Sequence, residues 1–207
     1  MKKTILATMV VCSSITVFSQ STPSKVSHDG FYLSMAAGPA FGNINGDDNT
    51  GKDYKVKGEA FGLDVQIGGA IKPNLILHAT LQNKTLVGPK INGVKMDNDH
   101  TFQELFYGAG LTKYTADNFF FTGNVGLGNF LQTESANNSN SGGTTTDPGF
   151  SFNIKAGKEW MVSKKWGLGG ALFYGRTSLK NSGAGYSEKW NSNRFGLYFQ
   201  ATLCRSK

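Results

Sequence analysis

Few side chains of this sequence have both the type and the spacing that chemistry requires. The three histidines, His28, His78 and His100, are far apart in the sequence, and no two of them have the spacing of metal ligands. Cys204 is the single cysteine after position 12, so no disulfide can form within the chain once an N-terminal leader is removed. We therefore expect no metal site and no cofactor.

Two patterns resemble catalytic or nucleotide-binding motifs. The glycines at 123–128 have the spacing of a phosphate-binding loop, but they alternate within an apolar stretch that no helix follows, and we interpret them as packing positions. His100 and Ser151 are the candidates for a small hydrolase site near the rim of a barrel. A hydrolase is therefore an alternative interpretation, and no catalytic residue is assigned.

Charge is spread along the chain without a basic stripe. The formal net charge is +7, and it falls to +5 if Lys2 and Lys3 leave with the leader. The polar segment 42–57 carries acidic and basic side chains in equal number. We therefore do not expect nucleic-acid binding.

The elements that position the remaining polar side chains are strands. Within 59–86, apolar residues such as Phe61, Leu63 and Val65 fall on one parity and polar residues such as Asp64 on the other. A repeat of two residues fits a strand, because a helix would scatter this apolar set around its surface. The polar parity is dominated by small or uncharged side chains, which favours a barrel with its apolar face toward lipid and its polar face toward the lumen.

The same alternation predicts eight strands, at 31–41, 59–71, 75–86, 101–114, 119–130, 150–160, 166–176 and 191–203. The connections alternate between long polar segments and short turns, with Pro39 marking an irregularity in the first strand. This rhythm predicts an all-β, antiparallel, up-and-down transmembrane barrel with long external loops and short periplasmic turns. The low-complexity segment within 131–149 is expected to be the most mobile loop.

The N-terminus has the features of a secretory signal peptide. Lys2 and Lys3 precede an apolar core at 5–17, and Ser19 gives an acceptable cleavage site before Gln20. We expect a signal peptide at 1–19, a short periplasmic leader at 20–29 and a barrel domain at 30–207.

Four of the charged residues on the inward parity of their strands are expected to interact in the lumen. They are Asp64, Glu104, Lys155 and Arg194. Because buried charges persist only when they are paired, we expect a lumen network in which Glu104 lies near Arg194 and Asp64 near Lys155. The alternative is that each charge lies near a wet rim without a partner.

Aromatic residues adjoin the short turns. Phe119, Trp160 and Trp166 begin or end predicted strands there. These positions suit an aromatic girdle at the periplasmic interface of a membrane. Core packing in a soluble protein is the alternative for these side chains.

The sequence resembles a known family over nearly its whole length after the leader. The stretches YGAGLTKY, FFFTGNVGLGNF, GKEWMVSKKWGLGGALFYG and RFGLYFQATL are similar to the eight-stranded outer-membrane β-barrel family, the OmpX-like and OmpA-barrel-like proteins of Gram-negative envelopes. The resemblance implies a location in the cell outer membrane. Family members end on an aromatic residue, whereas this chain ends on Lys207.

An eight-stranded barrel is just wide enough for side chains to fill, so a general pore is not expected. We expect a non-enzymatic monomer in outer-membrane lipid, which contacts an external protein or surface ligand through its loops or supports envelope integrity. The alternatives are a small lipid-modifying enzyme of the same membrane and a secreted lipocalin-like barrel that binds an apolar ligand.

Overall fold

The computed structural model describes residues 28–48, 50–134, 142–183 and 186–205. The predicted signal peptide and most of the predicted leader lie outside them. Within the described ranges, no helix is long and apolar enough to cross a membrane. The strands are β1 (Phe31–Asp48), β2 (Asp53–Lys57), β3 (Ala60–Lys72), β4 (Leu75–Val87), β5 (Lys90–Ile91), β6 (Val94–Lys95), β7 (His100–Tyr114), β8 (Phe119–Glu134), β9 (Gly142–Thr145), β10 (Gly149–Met161), β11 (Trp166–Gly183) and β12 (Tyr186–Arg205).

Eight of these strands close into a barrel. Antiparallel pairing runs through β1, β3, β4, β7, β8, β10, β11 and β12, and β12 pairs back onto β1 from Phe31↔Arg205 to Asp48↔Glu188. The predicted eight-stranded antiparallel barrel is confirmed. Closure leaves no free edge among the eight strands, so each barrel strand has a hydrogen-bonded neighbour on both sides.

The side chains divide between the two faces of the wall as the alternation predicted. In β3, Phe61 is 56% exposed and Leu63 49%, while Asp64 and Gln66, which have the opposite parity, are fully buried. Exposed apolar side chains surround the barrel and include Met35, Ile67, Leu81, Leu111, Phe121, Ile154, Leu172, Leu197 and Phe199. The polar parity therefore fills the lumen, and the apolar parity forms the outer surface.

The two ends of the barrel differ. We call the end with the short connections β3–β4, β7–β8 and β10–β11 the turn end, and the opposite end the loop end. Asn74 and Asn118 occupy turns of the turn end with φ values of 61° and 59°, a conformation that asparagine tolerates better than most residues. The backbone and side chain of Asn74 bond to the backbone of His28, at 3.0 and 3.1 Å. The N-terminal segment is thereby attached to the turn end.

At the loop end the barrel wall continues further than the predicted strands. Residues 42–48, 177–183 and 186–189, which the polar composition predicted as loops, extend β1, β11 and β12. β2 pairs with β1 and β5, and β5 pairs with β6, so part of the predicted loop structure is also β-sheet. Within the predicted mobile segment 131–149, residues 135–141 lie outside the described ranges.

The irregularity predicted at Pro39 is visible on one side of β1. Pairing with β3 continues through Pro39↔Phe61, whereas pairing with β12 stops after Ala37↔Phe199 and resumes at Ala40↔Gly196. Proline has no N–H to donate to a ladder. Added side-chain atoms at the preceding Gly38 would collide with the carbonyl of Leu197. The two strands therefore need a small residue at this position.

Candidate functional site

The lumen contains a buried ion pair nearer the loop end. The guanidinium Nε of Arg194 lies 3.4 Å from Oε2 of Glu104. The hydroxyls of Thr177 and Ser192 each donate a hydrogen bond of 2.8 Å to the same carboxylate. Lys84 is directly opposite Glu104 in the ladder between β4 and β7 and is also buried. Side chains from β4, β7, β11 and β12 therefore meet around one carboxylate and brace the barrel across its interior.

A second buried pair lies deeper in the lumen. The Nζ of Lys155 on β10 is 3.6 Å from Oδ2 of Asp64 on β3, and both side chains are fully buried. The amide of Gln82 donates a hydrogen bond of 2.8 Å to the same Asp64 oxygen. Because the charges are opposite and an amide donor also contacts the carboxylate, this pair partly offsets the cost of removing both ions from water.

The turn end of the lumen contains a third carboxylate, that of Glu159. It accepts hydrogen bonds from Gln200 and Thr202, both at 2.6 Å, and from the hydroxyl of Tyr114 at 3.1 Å. The ring of His28 stacks on Tyr114 with centroids 3.7 Å apart, and its Nε2 is 3.9 Å from Glu159 Oε2. This N-terminal residue therefore helps to close the turn end of the lumen.

The structure places Glu104 beside Arg194 and Asp64 beside Lys155, and it adds charged or titratable groups that the sequence analysis left out of the lumen network. Lys84 has the inward parity of Gln82, and Glu159 has that of Lys155. The alternation of inward and outward residues along each strand was therefore sufficient to place both side chains in the lumen. His28 precedes the first predicted strand, and no periodic pattern indicated that it would be buried.

The loop end of the lumen is closed by an apolar layer. Its buried members include Ile44, Leu86, Phe102, Phe130 and Leu179, and we call this layer the cap. Trp190 is partly buried and packs against the cap. In the middle of the lumen the rings of Phe173 and Tyr198 stack with centroids 4.2 Å apart. Large side chains thus occupy the lumen at several levels.

Beyond the cap, the loop end holds a cavity of about 420 Å³. Its wall includes Tyr54, Trp190, Asn181 and Glu188, and its floor is formed by aromatic residues of the cap. We call this cavity the cup. No pattern in the sequence indicated the cup, because its lining residues come from seven segments spread between Tyr54 and Trp190.

The hydrolase candidates His100 and Ser151 are not brought together. His100 is paired with Glu134 of β8, whereas Ser151 is paired with Gly126 of the same strand. Eight residues along a strand correspond to roughly 26 Å. The hydroxyl of Ser151 is instead bonded to the hydroxyl of Thr177 at 2.8 Å, inside the lumen. In the part of the chain that the structure describes, no cluster of three or more histidine, cysteine or acidic side chains could hold a metal ion.

The aromatic residues predicted to form a girdle lie at the turn end. Phe119, Trp160 and Trp166 are 45%, 61% and 37% exposed. The Nζ of Lys158 lies 4.4 Å from the ring centroid of Phe119 and 5.9 Å from that of Trp160. Exposed aromatic rings next to a lysine suit a boundary between lipid and water. Their role as a girdle stays a prediction.

Comparison with known proteins gives a fold but no close relative. No family model matches the sequence, and no curated protein matches it. Neisserial surface protein A (NspA) is structurally similar, with a TM-score of 0.53 and 13% identity over 86% of this chain and 98% of that one. The outer membrane protein OprG from Pseudomonas aeruginosa has a TM-score of 0.50 and 13% identity, again over 86% of this chain and 98% of its own. The chain therefore has the fold of small outer-membrane β-barrels.

Proposed function

We propose that the protein is a non-enzymatic, monomeric barrel of the bacterial outer membrane that acts through its loop-end surface. The observation that carries the proposal is the combination of an apolar exterior with a lumen that side chains close at several levels. The exterior needs lipid, and the lumen offers no open path for solutes.

The exterior supports a membrane location. Phe199 is 82% exposed, and Leu172, Phe121 and Phe150 are each more than 60% exposed on different strands. Large apolar side chains that surround a closed barrel would promote aggregation in water, whereas in a bilayer they contact acyl chains. A secreted lipocalin-like barrel has the reverse distribution, with its apolar ligand site inside. The polar lumen argues against that alternative.

The orientation follows from the two ends. In outer-membrane barrels the short turns face the periplasm and the longer connections face outward. Exposed Phe119, Trp160 and Trp166 lie at the turn end, where they would mark the periplasmic interface. The loop end, with its β2, β5, β6 and β9 strands, would then extend from the cell surface. A contact with an external protein or surface ligand would be made there.

The closed lumen argues against transport. The cap closes the loop end, and His28 with Tyr114 closes the turn end. The wide separation of His100 and Ser151 removes the pairing on which the hydrolase alternative depended. Binding or mechanical support of the envelope at the cell surface is the function that this geometry supports best.

Cysteine labelling of intact cells tests the proposal. Lys52→Cys places a thiol on an exposed position of the loop end, and Asp117→Cys places one on an exposed turn of the opposite end. Cys204→Ser in both variants removes the natural, buried thiol. A polymer-linked maleimide too large to cross the outer membrane should label Lys52→Cys in intact cells and Asp117→Cys only after lysis.

Labelling of Asp117→Cys in intact cells would show that the orientation is opposite to the proposed one. Recovery of the protein in the soluble fraction would refute the membrane location. Mass spectrometry of the mature protein should give an N-terminus at or near Gln20, as the leader predicted from the sequence requires.

A further inference from the structure

The cup has an aromatic lining centred on Trp190. The Trp190 ring lies 6.0 Å from Tyr54, 6.2 Å from Phe102 and 6.2 Å from Phe130, measured between ring centroids. Phe102 and Phe130 are buried in the cap, whereas Tyr54 and Trp190 are only partly buried and border the cavity. A ligand in the cup would therefore meet aromatic surface mainly from Tyr54 and Trp190, because Phe102 and Phe130 are only 4% and 1% exposed.

One carboxylate faces this aromatic lining. Oε2 of Glu188 accepts hydrogen bonds from the indole N–H of Trp190 at 3.0 Å and from the side-chain amide of Asn181 at 3.4 Å. Both donors are uncharged, so they orient the carboxylate without neutralising it. Among the described residues that line the cup, Glu188 is the one charged side chain. These lining residues therefore provide one fixed negative charge and no positive charge.

The cup ends blindly at the cap. Ile44, Leu86 and the buried phenylalanines separate it from the ion pairs of the lumen. A molecule that enters from the loop end is therefore retained at the surface and is not passed toward the turn end. A volume of about 420 Å³ lies within the usual range of small-molecule sites.

We infer that the cup is a binding site for a small organic cation with an ammonium head group. Aromatic faces attract such a cation through their quadrupoles, and a fixed carboxylate adds a Coulomb attraction that an uncharged ligand does not gain. An anion would be repelled by Glu188. The inference goes beyond the proposed function, which requires no small molecule.

Tryptophan fluorescence of the purified full-length mature barrel tests the inference. Trp160 and Trp166 lie at the turn end, so changing both to phenylalanine leaves Trp190 as the only tryptophan and places the signal in the cup. The probes are choline and 3,3-dimethylbutan-1-ol, which have nearly the same shape but differ in charge. The detergent should be a nonionic polyoxyethylene ether, which carries neither a cation nor a sugar.

Choline should change the fluorescence of Trp190 saturably and bind at least about tenfold more tightly than its neutral isostere. Glu188→Gln keeps an acceptor for the indole N–H but removes the charge, and it should reduce this preference to less than about threefold. Glu59→Gln, at an exposed position that does not line the cup, is the matched control and should bind choline like the parent. Tyr54→Leu removes one aromatic face and should weaken choline binding about fivefold.

Three results would overturn the inference. They are the absence of any saturable response to choline in a barrel whose circular dichroism shows it to be folded, equal binding of choline and its isostere, and an unchanged preference in Glu188→Gln. Saturable binding of methyl glucoside in place of choline would also overturn it, because it would identify the cup as a site for neutral sugars.

Discussion

Replacement of Arg194 by alanine should cause a large loss of stability. Arg194 is fully buried, and its guanidinium contacts Glu104 at 3.4 Å. Its removal leaves the Glu104 carboxylate in the lumen with the hydroxyls of Thr177 and Ser192 as bonded donors and Lys84 as the cation opposite it. The carboxylate therefore loses one of its two nearby positive charges.

The size of the loss follows from the cost of stranding a buried charge. Breaking a buried pair by removing one partner costs about 3–5 kcal/mol. Because Lys84 and two hydroxyl donors remain, we expect the lower end of that range, about 3 kcal/mol for Arg194→Ala. Adding Glu104→Gln removes the carboxylate but leaves the buried Lys84 without its partner. Because both substitutions break the same ion pair, the double variant should lose less stability than the sum of the two single losses.

Urea unfolding of the barrel in detergent micelles, followed by tryptophan fluorescence, measures these differences. Arg176→Ala is the matched control, because Arg176 is an exposed arginine on the neighbouring β11 strand, and it should change stability by less than about 0.5 kcal/mol. Equal stability of Arg194→Ala and the parent would refute the buried network. Additive effects of Arg194→Ala and Glu104→Gln would show that the two side chains do not interact.

Two further predictions concern packing and the membrane interface. A Cβ added at Gly62 would lie 2.6 Å from the Tyr198 hydroxyl oxygen, and that ring is stacked on Phe173, so Gly62→Ala should cost about 1–3 kcal/mol in the same unfolding assay. Gly123→Ala, where the added Cβ meets nothing within 4 Å, should be nearly neutral, and equal losses in the two variants would contradict the packing described. In vesicles with brominated lipids, Trp160 and Trp166 should be quenched by shallow bromines more than by bromines at the bilayer centre. Deep quenching of these two residues would exclude an interfacial girdle.

The division between lumen and lipid could be predicted from the sequence because a strand has a strict period of two. Once Phe61 is placed outside, Asp64 must lie inside, and each later residue of the strand follows. The juxtaposition of Glu104 with Arg194 could also be anticipated, because antiparallel strands of similar length place residues at similar depths. The same parity also places Lys84 and Glu159 inside the lumen, where both are buried.

The loop end was harder to predict for a physical reason. Residues 42–48 and 177–183 are polar, since a wall that extends beyond a membrane needs no apolar outer face. Both segments are strands because they pair with β12. A single sequence does not reveal this pairing. The cup depends on this pairing, because the β-extension of β12 brings Glu188 and Trp190 next to β2, β7 and β8. The burial of His28 could not be predicted for the same reason, because His28 is held at the turn end by hydrogen bonds to Asn74, which is distant in the sequence.

Single-channel recording in planar lipid bilayers tests the closed lumen most directly. The mature barrel should be inserted from detergent, and its incorporation should be verified by co-flotation with lipid vesicles. Because the cap, the two ion pairs and the His28–Tyr114 stack occupy successive levels of the lumen, inserted protein should show no stable conductance steps at either polarity. Reproducible large steps from verified, inserted protein would contradict a closed lumen and, with it, a function confined to the surface of the loop end.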